Sequence, residues 1–360
     1  MSVIDTSDAG LAALERGSEL LGCGGGGPTP LARTLLRQAI WRGQPPVVQS
    51  LACLGDDDPV LPVGIVGATG ALREKLPSGS EFVRVVDSVT RVTGVSPRAL
   101  VGTEVGGVNG LMVLVAAADT GIDAVDADLM GRALPRLDQF TAAVYGCRLT
   151  PAALAGGTGA SIVLDDLDAH GVERVARLFL AESGGWAAMA CAPIPAGVLR
   201  EAAAVGSFSH AQWLGRVQLD AQIPDPAGLA DELGGRIHAS GLVEDVVRYQ
   251  GASMFSRGVV TLADHETQAL IRIDMENEYL TVLRDGVPVA STPDIICVVE
   301  RRTAVPVPCD RIRYGMDVSV LHLPGASFWR RPRHLPAVAP RAFGIDVDAC
   351  LMPGAFGVAP

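Results

Sequence analysis

The sequence predicts an α/β domain followed by a mostly antiparallel, barrel-like β domain. Strand and helix patterns alternate through the first two-thirds of the 360 residues, which is typical of α/β folds. After about residue 230 the chain shows alternating strand patterns with few helix signals, and Asp285-Gly286 between two of them indicates a hairpin. We therefore expect domains at 1–225 and 226–339, with the tail at 340–360 returning to the first domain.

The N-terminal half of the first domain contains two helices joined by a glycine run. Apolar positions predict the first helix over residues 8–21. After the glycines, Thr29-Pro30 supplies an N-cap and a first-turn proline for a helix that ends near residue 42.

Apolar spacing assigns the other elements of the α/β domain. The segment at 111–118 is apolar all round and is therefore expected to be a buried helix, and Gly184 marks a helix end. The remaining predicted strands are 60–66, 99–101, 122–125, 160–164 and 186–192. The other predicted helices are 80–93, 172–184 and 196–205.

Composition and charge limit the classes of function. Apolar residues form 48% of the chain, which is enough to build a core and excludes a disordered protein. The 29 Lys and Arg are outnumbered by 40 Asp and Glu, so a nucleic-acid partner is not expected. No segment has the pattern of a membrane span or an export signal, and the seven cysteines include no CxxC pair. These features predict a cytoplasmic protein with reduced thiols.

The glycine run is the first candidate ligand site. Glycines allow a ligand to approach the main chain, and the helix that follows directs N–H groups towards an anion. The run follows a helix and lacks the P-loop Lys, so it matches neither nucleotide-binding motif. A flexible linker remains the alternative for the run, and a packed side chain remains the alternative to a reactive thiolate at Cys23. The candidate substrate-binding residues are Cys23, Gly24, Gly25, Gly26 and Gly27.

A second candidate site follows the strand at 99–101. Glu104 and Asn109 lie in the sequence TEVGGVNG between that strand and the buried helix. Ligands of open α/β sheets bind beyond the carboxyl ends of the strands. We therefore interpret Glu104 and Asn109 as candidate catalytic residues, although Asn109 can also cap the helix.

A third candidate site lies at the end of the strand at 122–125. Asp126 and Asp128 are spaced so that both side chains face one way, and Glu104 is expected near them because parallel strands end at one sheet edge. The carboxylates can bind a divalent cation or hold one proton between them. Arg132 can pair with a substrate carboxylate. Helix capping by Asp128 and an Asp126–Arg132 ion pair are the structural alternatives.

Seven segments, in order, resemble the S-methyl thiohydantoin desulfurase family, formerly domain of unknown function 917. They are LLGCGGG, EKLPSG, TEVGGVNGL, VDADLMGRALP, MENEYL, PDIICVVE and PRAFGID. The resemblance covers about residues 10–350. It implies an N-terminal α/β three-layer domain, a C-terminal barrel-like domain, action on thiohydantoin or hydantoin rings with hydrolytic loss of sulfur, and a metal in some members.

The chain departs from the family pattern at three places. Pro28-Thr29-Pro30 replaces a usual Asp-Pro, residues 252–255 replace a usual Gly-Gly-Phe, and Met275 stands where Gln is usual. Glu74 and Lys75 of EKLPSG indicate a surface turn by themselves, and within the family motif they are candidate substrate-binding residues.

The sequence thus supports an enzyme that hydrolyses a C–S or C–N bond of a small cyclic amide-like substrate. The alternative is a non-catalytic ligand-binding or accessory subunit of a hydantoinase-like complex. We expect a small-molecule substrate and a homo-oligomer. For the chemistry, either a divalent metal ion or a metal-free pair of carboxyl groups is expected.

Overall fold

A computed structural model describes residues 2–68, 70–220, 225–250 and 256–356. The family departure at residues 252–255 lies outside this range. The described helices are α1 (Asp8–Leu21), α2 (Pro30–Trp41), α3 (Ala71–Glu74), α4 (Glu81–Thr93), α5 (Asn109–Thr120), α6 (Thr141–Tyr145), α7 (Ala169–Ser183), α8 (Ala196–Ala202), α9 (Ser207–Asp220) and α10 (Pro226–Glu232).

The described strands form two separate sheets. Those of the first sheet are β1 (Val48–Gln49), β2 (Pro59–Gly67), β3 (Ala99–Gly102), β4 (Ala124–Asp128), β5 (Ala152–Gly156), β6 (Ser161–Leu164), β7 (Trp186–Ala190), β8 (Ile194–Pro195) and β9 (Ala204–Val205). Those of the second sheet are β10 (Arg236–Gln250), β11 (Ser256–Asp264), β12 (Leu270–Glu276), β13 (Glu278–Arg284), β14 (Val287–Ser291), β15 (Ile295–Glu300) and β16 (Asp317–Leu323).

The first sheet is mixed. Its order is β1-β4-β3-β2-β7-β5-β6, with β8 on β2 and β9 on β4. Strands β1, β4, β3 and β2 pair in parallel with one another, whereas β7, β5 and β6 add antiparallel pairs. Because β3 and β4 are parallel neighbours, the segments that follow them leave the sheet at the same edge.

Helices cover both faces of this sheet and form a three-layer domain. Along β2, Leu61 and Val63 enter the core under α1, α2, α4, α5 and α9. Val60 and Val66 enter the opposite core, which also contains apolar side chains of α7 and α8. This alternation follows from the two-residue period of a strand.

The second sheet is antiparallel throughout and forms a half-barrel. Its order is β14-β13-β12-β11-β10-β16-β15. The Asp285-Gly286 turn joins β13 and β14, with both residues at positive φ, as the hairpin prediction requires. The two-domain architecture confirms the predicted fold class, while the boundary at 225/226 stays a prediction.

Two predictions need correction, and two helices were missed. The predicted helix at 196–205 ends at Ala202 because the chain then enters β9 beside β4. Helices α9 and α10 were not expected. Thr29 precedes α2 but does not cap it, since its hydroxyl donates to Glu19 Oε1 over 2.7 Å.

The segment after β16 contacts both domains. Gln139 in the first domain donates to the Ala337 carbonyl, and Phe356 stacks on His210 of α9 with ring centroids 4.3 Å apart. In the second domain, Ser291 and Cys350 exchange main-chain and hydroxyl hydrogen bonds. Within the described part of the chain, every helix is too short or too polar to cross a membrane.

Candidate active site between the two domains

A cavity of about 650 Å³ lies where the two domains meet. The glycine run, the segments at the ends of β2 and β3, and the turn between β12 and β13 supply its walls. The volume falls within the range of small-molecule sites, roughly 300–1,000 Å³. Apolar side chains such as Ile65 and Phe140 line it together with the carboxyl groups of Glu104 and Glu278.

Glu104 lies directly after β3 and is held in place by Asn109. Asn109 Nδ2 donates to Glu104 Oε1 over 2.7 Å, and the same carboxamide exchanges two hydrogen bonds with the Ile65 main chain. Burial raises the pKa of Glu104 to about 8, although the Asn109 bond opposes the rise. The predicted pairing of Glu104 with Asn109 in one polar site is present, and Asn109 uses its side chain to fix β2 and not to cap α5.

Glu278 is the second carboxyl group of the cavity and was not among the predicted site residues. It begins β13 directly after Asn277, whose φ of +57° turns the chain. The side chain is buried, and burial together with the nearby Glu104 raises its pKa well above the usual range. Glu278 Oε2 has no hydrogen-bond partner among the described residues. The MENEYL motif was the sequence signal that pointed to it.

The glycine run is ordered by hydrogen bonds to both domains. The carbonyls of Cys23 and Gly24 accept from the main chain of Tyr279 and Cys309 in the second domain, over 2.8 and 2.9 Å. The Gly26 carbonyl accepts from Val108 in the first. These bonds argue against the flexible-linker alternative.

The main-chain N–H groups at the centre of the run are already used. Those of Gly25 and Gly26 donate to the Gly22 carbonyl over 2.8 and 3.2 Å. This corrects the expectation that these two amides hold an anion. The run lines the cavity, and a direct ligand contact stays a prediction.

Asp126 lies at the same sheet edge as Glu104 but does not join it in the cavity lining. Its Oδ1 accepts from the main chain of Phe208 and Ser209 over 2.9 and 3.1 Å, and Oδ2 accepts from the Ser209 hydroxyl over 2.5 Å. The carboxylate thus stabilises the N-terminus of α9. The expected convergence of Asp126 with Glu104 is wrong because α9 takes up both oxygens.

Asp128 is the buried last residue of β4. Its Oδ2 accepts from the main chain of Val105, Met130 and Gly131 over 2.7–3.0 Å. Burial raises the pKa of Asp128 to about 6, against the effect of these bonds. Asp128 does not line the cavity, although its charge contributes to the raised pKa of Glu104, and its catalytic role stays a prediction.

Arg132 connects the two domains and does not line the cavity. Its side chain is buried and donates to the carbonyls of Ala133, Tyr279 and Asp294 over 2.5–3.0 Å. This corrects both the expected substrate contact and the ion pair with Asp126, because the guanidinium is engaged by main-chain oxygens. Its charge partly opposes the rise in the pKa of Glu278.

Cys23 is a packed thiol. Its side chain is fully buried, and burial raises the pKa to about 11, so the thiolate is disfavoured at neutral pH. Of the two alternatives left open for Cys23, the structure favours the packed side chain.

Glu74 and Lys75 lie on the surface at the end of α3 and do not line the cavity. The Lys75 carbonyl accepts from Trp186 Nε1 over 2.8 Å, which fixes this turn to the first sheet. Neither side chain lines the cavity, so a substrate contact by Glu74 or Lys75 stays a prediction.

The predicted metal ligands are not brought together. Asp126 lies against α9, Asp128 accepts main-chain hydrogen bonds from the segments that follow β3 and β4, and Glu104 faces the cavity. In the part of the chain that the structure describes, no group of three or more His, Cys, Asp or Glu side chains could hold a metal ion. The residues present therefore do not fit the predicted metal site.

We expect the stability of the protein to fall as the pH rises from about 5 to 8. The folded protein keeps a proton on Glu104 up to a pKa of about 8, whereas the unfolded chain releases it near the ordinary value of 4.5. Between these values the unfolded state binds fewer protons, so each such group lowers the free energy of unfolding by up to about 1.4 kcal/mol per pH unit.

The measurement is urea denaturation across that pH range for the wild type and Glu104→Gln. Gln does not titrate, so the variant should show a shallower decrease in stability with pH. Equal pH slopes for the two proteins would contradict the buried, protonated state of Glu104.

The fold and the cavity define a two-domain protein with a mixed α/β sheet, an antiparallel half-barrel and a buried pair of carboxyl groups at their junction. Two family models match the chain: S-Me-THD-like, N-terminal domain, at residues 9–166, and S-Me-THD-like, C-terminal domain, at residues 167–350. The chain belongs to this S-methyl thiohydantoin desulfurase-like family, which confirms the resemblance.

A solved structure shares the fold over nearly its whole length. The X-ray crystal structure of a protein from Chromobacterium violaceum has a TM-score of 0.74 and 22% sequence identity, covering 96% of this chain and 97% of that chain. At this identity the likeness shows the fold alone. No curated protein matches the chain.

Proposed function

We propose that this protein is an enzyme that hydrolyses the C–S bond of a small S-methyl thiohydantoin-type ring in the cavity between its domains. The observation that carries the proposal is the pair of carboxyl groups, Glu104 and Glu278, which line one cavity and both have raised pKa values, with burial as the main cause and Glu104 contributing to the rise at Glu278. Two carboxyl groups with shifted pKa values are a common acid and base pair. Family membership supports the ring type.

The environment of each carboxyl group suggests its role. Glu104 accepts a hydrogen bond from Asn109, which favours the carboxylate, and its pKa of about 8 allows it to ionise first. Glu278 Oε2 has no partner among the described residues, and burial together with the charge of Glu104 raises the pKa of Glu278 well above its usual range, so Glu278 keeps its proton. Glu104 is thus the general base and Glu278 the general acid.

The reaction consumes one water molecule. Glu104 takes a proton from water as its oxygen attacks the ring carbon that carries the methylthio group. The C–S bond then breaks, and the sulfur leaves as methanethiol with a proton from Glu278. The first water proton passes from Glu104 to Glu278 and restores both carboxyl groups. The remaining hydroxyl proton moves to the ring nitrogen of the former C=N bond, and the ring keeps the water oxygen as a carbonyl, giving a hydantoin.

The purified protein tests the proposal directly. Incubation with S-methyl thiohydantoin in ¹⁸O-labelled water should release methanethiol, measured by gas chromatography, and place one ¹⁸O in the hydantoin product, measured by mass spectrometry. Ring opening without thiol release would indicate C–N hydrolysis. Ligand binding without any turnover would contradict the proposed enzyme and favour the non-catalytic alternative.

Asp126→Ala provides a test of its corrected role. Loss of the carboxylate at the start of α9 should lower the free energy of unfolding by about 0.5–2 kcal/mol, the usual cost of losing an N-terminal cap. The kcat of the folded fraction should remain near the wild-type value because Asp126 does not line the cavity. Urea denaturation measures the stability, and thiol release measures the turnover. Unchanged stability with lost turnover would show that Asp126 acts in catalysis.

A further inference from the structure

The cavity is lined by more arginines than ionised carboxyl groups, although the whole chain has 29 Lys and Arg against 40 Asp and Glu. The lining arginines are Arg16, Arg73, Arg136, Arg177 and Arg311. Burial raises the pKa of Glu104 to about 8 and that of Glu278 well above its usual range, so both are protonated at neutral pH. Among the described lining residues, the other carboxyl groups are those of Glu19 and Asp310. The cavity is therefore more positive than the protein as a whole.

Three of these arginines already have a carboxylate partner. The ion pairs are Arg16–Glu19, Arg136–Asp138 and Arg177–Glu173, with N–O distances of 2.9, 3.2 and 2.7 Å. The protein itself thus compensates these three charges.

Arg73 and Arg311 are the lining arginines whose charges are left over. Arg73 lies on α3 of the first domain, and Arg311 lies between β15 and β16 of the second. Both side chains are exposed, and neither guanidinium has an ion pair or a hydrogen bond among the described residues. The Asp310 carboxylate offsets one of the two charges. A surplus of one positive charge therefore remains in the lining at neutral pH.

The two arginines lie nearer to solvent than the carboxyl pair. Glu278 is 3% exposed and Glu104 is half-buried, whereas both arginines are exposed. A ring that reaches the carboxyl pair can therefore direct a substituent outwards to the arginines. The main chain before Arg311 is fixed, because the N–H of Cys309 donates to a carbonyl of the glycine run over 2.9 Å.

A carboxylate fits this arrangement better than a phosphate. Phosphate sites usually use several free main-chain N–H groups, but those of Gly25 and Gly26 donate to the Gly22 carbonyl. A carboxylate carries one negative charge, which matches the surplus. Its two oxygens also match the paired N–H groups of a guanidinium.

We propose that the cavity selects rings with a carboxylate substituent, which Arg73 and Arg311 bind near the cavity opening while the ring lies beside Glu104 and Glu278. This inference rests on the proposed function for the ring type, and it adds the substituent. Neither arginine takes part in proton transfer. Loss of either should raise KM with little change in kcat.

Binding of two unreactive rings tests the proposal without turnover. One is a hydantoin with an acetic acid group on its tetrahedral ring carbon, and the other carries an acetamide group there, so the two differ in charge. By calorimetry at about 0.01 M salt, the wild type should bind the acid about tenfold more tightly, as expected for two exposed ion pairs. At about 1 M salt the preference should be mostly lost, because the screening length falls from about 30 Å to about 3 Å.

Arg73→Gln and Arg311→Gln should each reduce this preference about threefold, and the double variant should abolish it. Arg313→Gln is the matched control. Arg313 is also exposed and lies close to Arg311 in the chain, but it does not line the cavity. The control removes the same charge from the protein and should keep the full preference. Because all three side chains are exposed, we expect unchanged melting temperatures.

Equal affinity of the wild type for the acid and the amide, or a preference that the double variant retains, would overturn the inference. An equal loss in Arg313→Gln would also overturn it, since net charge alone would then explain the effect. Thiol release by the wild type is measured separately. Turnover without a preference for the acid refutes the inference alone, whereas charge-dependent binding without turnover refutes the proposed function and leaves the inference standing.

Discussion

Glu278→Gln should lower kcat/KM for thiol release by about 10²–10⁴-fold, the usual contribution of general acid catalysis. Gln has nearly the same size and shape as Glu but cannot give a proton to the departing sulfur. The wild-type rate should rise as Glu104 ionises near its pKa of about 8. Burial raises the pKa of Glu278 well above its usual range, so Glu278 still carries its proton while Glu104 ionises. Initial rates across pH 5–10 measure both effects.

Glu81→Gln is the matched control for this variant. Glu81 and Glu278 are equally buried, at 3% exposure, but Glu81 lies outside the cavity and accepts from the main chain of Ser78 and Gly79. The control should retain its turnover. Full activity of Glu278→Gln would show that Glu278 is not the acid.

Gly25→Ala should lower kcat by about 10²-fold while the protein stays folded. An added Cβ at Gly25 would lie 2.2 Å from Glu278 Oε1, so the carboxyl group must move away. A displacement of about 1 Å at a reacting group can cost this much in rate. The flexible end of the Glu278 side chain can yield, and the surrounding main chain is not disturbed.

Gly26→Ala provides the contrast within the same run. Its Cβ would lie 2.7 Å from the main chain of Gly107, which cannot yield as a side chain does. We therefore expect this variant to lose about 1–3 kcal/mol of stability, as for other overpacked sites. Thermal unfolding and thiol release separate the two outcomes. A normal kcat of Gly25→Ala would show that the close approach of the glycine run to Glu278 is not needed for catalysis.

The reason for glycine at these two positions is space. Positive φ values occur at Gly24 and Gly27, at +87° and +82°, and not at Gly25 or Gly26. Sequence alone indicated a loop that approaches something closely. Only the packing of the two domains showed that Gly25 faces a carboxyl group and Gly26 faces the main chain.

The candidate site was predictable where it depends on local order along the chain. Glu104 and Asn109 follow a strand and open a buried helix, and their pairing across five residues was visible as one motif. Glu278 lies 174 positions after Glu104 (278 − 104) on the other domain, and its approach depends on how the domains dock. Only the family motif around it gave a signal.

The sequence by itself determined the fold class, because the period of apolar residues and the turn residues are local properties that each strand and helix must satisfy. Tertiary structure decided what the polar side chains do. Asp126 and Arg132 are residue types that often form functional sites. In the structure, however, the Asp126 carboxylate accepts hydrogen bonds from the start of α9, and the Arg132 guanidinium donates to main-chain carbonyls. Buried polar groups are nearly always hydrogen-bonded. Which group serves as the partner depends on packing between segments that are distant in the chain.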